Sequence, residues 1–134
     1  MTQVADASVV ASSLLNIDGD QEWADAALAA GAIVVRQLLQ VGAANTIRRA
    51  VAHRAVPAEI GAAALADLIR LPIRESVPFI AIAERAWELR STVTMCDAAY
   101  IAVAEMYDCR FATLDRRLAR ATGPRCEIIT PPDR

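Results

Sequence analysis

The chain contains no lysine, one histidine, three cysteines and only two residues each of Trp, Tyr and Phe among 134, and each shortage removes a class of explanation. With His53 alone and no nucleophile arranged beside it, Ser–His or Cys–His catalysis has no visible basis. Cys96, Cys109 and Cys126 lack the spacing of metal ligands, and an odd number with no signal peptide fits a reducing cytosol. No apolar run reaches the roughly 18 residues of a membrane span, and no basic segment precedes one. A soluble, cytoplasmic protein with no membrane association is therefore expected. Neither G-x-G-x-x-G nor G-x-x-x-x-G-K follows any expected strand, which speaks against a nucleotide-binding domain of the Rossmann or flavodoxin kind. The formal net charge of −2 gives no general support to nucleic-acid binding, so local features have to carry that case. One of those features is that all 14 Lys/Arg positions are arginine, the side chain that grips phosphate bidentately.

What the chain does have is aliphatic residues. Hydrophobic residues make up 55% of it and aromatics only 4%, so Ala, Val, Leu and Ile must build the core, and the length suits one domain over 1–134. Periodicity divides the chain into a short extended start at Thr2 to Ala5, a helix ending near Leu15, and an Ala-rich helix from Asp20 to Ala30. A β-branched run follows at Ala32 to Val35, then helices over Arg36 to Arg54 and Ala58 to Arg70. Ile73 to Val77 reads as a strand and Phe79 to Leu89 as a helix in which Trp87 belongs to the core. Met95 to Tyr107 is a helix apolar on most of its surface, Arg110 to Thr113 a short strand, Asp115 the start of another helix, and Cys126 to Thr130 the last strand. Strands that alternate with helices in this way call for a largely parallel sheet with helices on both faces.

Three of the strand-to-helix or loop-to-helix junctions carry an aspartate: Asp6, Asp97 and Asp115. For any one of them a capping role suffices, since Asp is a preferred residue at helix starts, and Thr94 with Asp97 makes an acidic variant of the capping box. Three together point further, because the carboxyl ends of parallel strands share one edge, where open α/β sheets place their ligands. Two carboxylates about 4 Å apart repel by roughly 4 kcal/mol at an effective dielectric near 20. A cluster of three is sustained by protonation or by a cation, and oxygen-only ligands select Mg²⁺ or Mn²⁺ over zinc. The Asn-Ile-Asp-Gly-Asp stretch at Asn16 to Asp20 lacks the remaining positions of a calcium loop.

The segments VADASVV, WELRSTVTMCDAAYIAVAE and ATLDRRLA resemble the PIN-domain ribonucleases and, within them, the VapC-type toxins of bacterial toxin-antitoxin pairs, over nearly the whole chain. The resemblance implies a PIN-like three-layer α/β/α domain around a mainly parallel sheet of four to five strands. It also implies a Mg²⁺- or Mn²⁺-dependent endoribonuclease in which Asp6, Asp97 and Asp115 are both metal ligands and catalytic residues. The family's Glu, six residues before an Arg-Arg pair, falls on Gly42, six before Arg48-Arg49. Three carboxylates then stand where the family has four, so weaker metal binding and reduced activity are expected. Glycine inside a helix also costs on the order of 1 kcal/mol relative to alanine. Ser8, Thr113, Arg48 and Arg49 are candidate contacts to substrate or phosphate, with Arg48 and Arg49 equally suited to complementing a helix C-terminus. A VapB-type antitoxin, an RNA substrate and a homodimer are the expected partners. The alternative is a degenerate PIN-like protein that binds RNA or antitoxin without cleaving.

Overall fold

Short β-branched runs became strands and the alanine-rich periodic stretches became helices in the computed structural model, which describes residues 1–133. In chain order these are β1 (Thr2–Ala5), α1 (Ala7–Leu14), α2 (Gln21–Ala29), β2 (Ala32–Arg36), α3 (Leu39–Ala52) and α4 (Ala58–Arg70). There follow β3 (Ile73–Val77), α5 (Phe79–Glu88), α6 (Met95–Met106), β4 (Arg110–Ala112), a 3₁₀ turn at Leu118–Arg120, and β5 (Ile128–Ile129). The five strands form one parallel sheet in the order β3-β2-β1-β4-β5, flanked by helices. The chain thus builds outward from β1 to β3, then returns to lay β4 on the other side of β1. This reversal makes the crevice beyond the carboxyl ends of β1 and β4 the switch point at which such sheets bind ligands.

Packing follows the pleat. Gln3 and Ala5 face α2, whereas Val4 on the opposite face joins the larger core cluster with Tyr100 and Ile101 of α6. Gln3 is fully buried, and its amide donates to the carbonyls of Ala27 (2.5 Å), Leu28 and Gly31 (both 3.2 Å), tying β1 to the end of α2 and the turn after it. Helix α6 is buried from Ala98 to Ala104 on all sides, as its nearly uninterrupted apolar sequence requires. Gly61 of α4 lies so close to Val51 of α3 that a Cβ there would run into the Val51 methyl.

Four sequence expectations need correction. Arg36 is the last residue of β2 and not the start of a helix: it pairs with Val77, and the next N–H, that of Gln37, donates to Val77 O at 2.9 Å, so the ladder outlasts the helical periodicity. Helix α3 begins three residues later. The segment opened by Asp115 makes only a 3₁₀ turn, because it runs at once into Gly123, whose φ of 111° lies outside helical space, and Pro124. The last strand contains two residues, not five, as befits an edge strand with one neighbour. Trp87 is 58% exposed, with the Arg90 guanidinium 4.7 Å over its ring, a surface stack and not part of the core.

Candidate acidic site

Each acidic side chain is positioned by local sequence chemistry. Asp6 follows β1 directly and caps α1. Its Oδ1 accepts from the N–H groups of Ser8 (3.0 Å) and Val9 (3.2 Å) and from the Ser8 hydroxyl (2.5 Å). Its Oδ2 accepts from the Thr113 hydroxyl at 2.6 Å, across 107 residues of chain. Thr113 closes β4, is fully buried, and its Oγ1 accepts the Asp115 N–H at 3.1 Å. The Ser8 hydroxyl makes a second crossing by accepting the Leu114 N–H at 3.2 Å. Two hydroxyls therefore tie the end of β1 to the end of β4 and hold Asp6 beside the loop that carries Asp115. Ser8 and Thr113, read as candidate substrate contacts, are already committed to this bracing.

Asp97 enters from α6. Thr94 caps the helix, its Oγ1 accepting the Asp97 N–H at 3.2 Å and donating to Asp97 Oδ2 at 3.1 Å, so the carboxylate folds onto the cap's hydroxyl instead of its backbone N–H. Asp115 is held by Arg117, whose Nε and Nη2 donate to the two carboxylate oxygens at 3.1 and 3.0 Å. The Arg117 side chain is 85% exposed, so it can swing away at little cost.

Electrostatics link the three acids. Burial pushes Asp6 above the usual carboxylate range, its hydrogen bonds pull it back only in part, and the charge of Asp97 adds to the rise. Partial burial also raises Asp97, with the Asp115 charge adding and Thr94, Arg117 and Arg36 opposing. Asp115 goes the other way, held low by the Arg117 hydrogen bonds. Among the described residues no three His, Cys, Asp or Glu side chains close into a preformed metal cage. The donor set fits a hard divalent cation in kind, being carboxylate only, and is short of one in number.

Gly42, read from the sequence as the position of a departed ligand, lies near the start of α1. Gly42, in the first turn of α3, faces the first residue of α1, and a Cβ added to it would stand 3.3 Å from the Ala7 Cβ, one residue from Asp6. Arg48 and Arg49 are exposed farther along α3, with Arg48 bonded to the Asn45 side chain at 2.9 Å. Among the described residues, neither shares a hydrogen bond or ion pair with the acids. Two residues escaped the sequence reading. Arg36 ends β2 at this edge with its guanidinium 4.7 Å over the Tyr100 ring, and Tyr100, one turn beyond Asp97, stacks on Phe111 with centroids 5.7 Å apart and planes 10° off parallel. Arg36 had a signal: it stands at the same strand-end junction that drew notice to Asp6 and Asp115.

A family model described as PIN domain matches residues 4–124. Ribonuclease VapC9 of Mycobacterium tuberculosis is 33% identical over 129 residues, which are 96% of this chain and 98% of that protein. Among solved structures, VapBC2 from Rickettsia felis, bound to a DNA fragment from their promoter, is similar with a TM-score of 0.66 at 11% identity, covering 98% of this chain and 100% of that one. Mycobacterium tuberculosis VapC20, a sarcin-ricin loop cleaving toxin, also gives 0.66, at 17% identity over 88% and 94% of the two chains. At such identities these two structures bear on the fold alone.

Proposed function

Because the chain belongs to the PIN-domain family, in its VapC type, we propose that it is a metal-dependent endoribonuclease toxin with a weakened cation site. The observation that carries this reading is the braced pair at the switch point: Asp6 and Asp115, brought from β1 and β4 through Thr113, with the charge of Asp97 acting on Asp6 and that of Asp115 acting on Asp97. Asp6, Asp97 and Asp115 are the residues that would hold Mg²⁺ or Mn²⁺, and they are the proposed catalytic acids. Such an ion, when bound, would neutralise charge on a phosphodiester and activate a water for in-line attack. The protein's own part is to keep Asp6 ionisable in a buried position, through the Ser8 and Thr113 donors, and to release Asp115 from Arg117 when a cation competes for it.

Gly42 leaves the site one carboxylate short, so cation affinity and turnover should fall below those of a four-acid relative, since hard-cation affinity follows ligand charge and number. Gly42, together with the lack of a preformed three-acid cage among the described residues, favours a second reading, a PIN-like protein that binds RNA or an antitoxin without cutting. The expected protein partner is a VapB-type antitoxin. Leu65, Ile69, Phe79 and Ile80 on α4 and α5 are exposed, and an apolar antitoxin segment or a second copy of the chain would cover such residues. Among the described residues no helix is long and apolar enough to cross a membrane.

Asp97→Asn separates the readings. The asparagine amide oxygen can still accept the Thr94 hydroxyl, so the variant should fold normally and lose Mn²⁺-dependent cleavage of RNA. Parental activity in the folded variant would return Asp97 to the role of a support for the Thr94 cap. Absence of cleavage by the parent, with RNA still bound, would select the second reading.

A further inference from the structure

We propose that Arg36 is a built-in cation of the acidic site that binds a phosphate of the RNA strand and, by its charge, opposes divalent metal. The inference rests on the nuclease reading above, and its basis is the way Arg36 is held. As the last residue of β2 it reaches the same carboxyl edge as Asp6 and Asp115, which follow β1 and β4. Its guanidinium carbon stands 4.7 Å over the centre of the Tyr100 ring, which itself stacks on the fully buried Phe111, so two rings in series back it. Among the described residues it has no ion pair, and its Nε is buried with no hydrogen-bond partner.

A guanidinium held against a ring and left without an acidic partner keeps the outer, Nη side of its planar fork, beyond the buried Nε, for an anion. Phosphate, with two or three oxygens in one plane, is the ligand that fork matches best. The surroundings explain why the charge is tolerated there. Asp97 lies one turn before Tyr100 on α6, and the positive charge of Arg36 acts on its carboxylate. Meanwhile α3, which follows Arg36 after a two-residue turn, carries no acidic residue in its first turn. Arg36 takes over part of the charge neutralisation that the phosphodiester needs, and its field lowers the affinity of the same edge for a second cation.

Two titrations on folded protein test this without relying on cleavage. In the first, a short 2′-O-methyl RNA, which resists hydrolysis, is titrated in EDTA by fluorescence anisotropy at several salt concentrations. R36M is expected to weaken binding about tenfold and to reduce the salt slope by about 0.7, the share of one single-strand phosphate. R36K, which keeps the charge without the fork, should preserve the slope and lose part of the affinity. In the second, Mn²⁺ alone is titrated by calorimetry, and R36M should bind it several-fold more tightly than the parent or R36K. Unchanged RNA affinity and slope in R36M would overturn the phosphate assignment, and unchanged Mn²⁺ affinity would overturn the charge opposition. If R36M does not fold, R36K carries the test, since parental RNA affinity in R36K would refute any role for the fork. Failure of the parent to bind RNA at all would instead refute the nuclease reading, and the Mn²⁺ comparison would still judge Arg36.

Discussion

Replacing Thr113 by valine removes one hydroxyl and keeps the branched shape of the side chain, so it tests the bracing between β1 and β4 directly. Thr113 is fully buried, and water cannot take the place of the lost group. Two bonds go: the 2.6 Å donation to Asp6 Oδ2 and the 3.1 Å acceptance of the Asp115 N–H. A hydrogen bond to a charged group contributes about 1.5–3 kcal/mol and an orphaned N–H costs about 1 kcal/mol or more, while the added methyl returns roughly 0.8 kcal/mol. The net loss is about 2–3 kcal/mol. Urea unfolding at neutral pH should show a midpoint lower by about 1 M or more for a typical slope of 2 kcal/mol per M. The loss should also depend on pH, with a definite sign. Asp6 titrates above its ordinary value of 3.8 in the folded protein, and the donated bond favours its ionised form. The cost of the substitution is therefore fully present only above that raised value and shrinks as pH falls through it. A loss below about 0.5 kcal/mol, or one that does not shrink as pH is lowered into the acid range, would refute the idea that Thr113 braces an ionised Asp6.

Gly42→Glu should raise Mn²⁺ affinity and RNA cleavage about tenfold each, most clearly with Ala7→Gly alongside, because a Cβ at position 42 would crowd the Ala7 Cβ at 3.3 Å. A folded double variant with neither gain would show that a side chain at 42 does not reach the acids. Gly61→Ala should lower stability by about 1–3 kcal/mol despite the better helix propensity of alanine, since its Cβ meets the Val51 methyl. Val51→Ala should relieve that loss, and a raised melting temperature for Gly61→Ala alone would mean that α3 and α4 part easily.

Much of the architecture could be read from the chain because the periods are clean. The Ile33–Val35 run could only be a buried parallel strand, and the uninterrupted apolar sequence from Ala98 to Ala104 could only be a buried helix. Thr94 as a cap followed from its spacing to Asp97. What escaped was decided by partners distant in sequence. Nothing local says that Arg36 stays in the sheet, because that depends on β3 offering Val77. Nothing local distinguishes a helix from a single turn after Asp115, where residues 116–121 look helical by propensity and Gly123-Pro124 stop them. Trp87 sat in a sound apolar register, but among the described residues no element covers that side of α5, and Arg90 stacks on the ring instead. The acids stood out because strand ends are rare places. That Asp6 would be braced by two hydroxyls, one of them 107 residues away, could not be read without the sheet order.

That sheet order has a consequence during synthesis. The acidic edge is made in two parts: the neighbour that braces β1 and Asp6, β4 with Thr113, is translated 107 residues after Asp6. At ordinary rates of about 5–20 residues per second, the interval is roughly 5–20 seconds. Once β2 has been made, β1 has it on one flank and an open edge on the other, and Asp6 has its own α1 amides and no Thr113. The growing chain therefore cannot assemble the braced edge until Thr113 has appeared. Helices α1 to α6 all precede β4 in the chain, so every one of them is translated before that edge is completed.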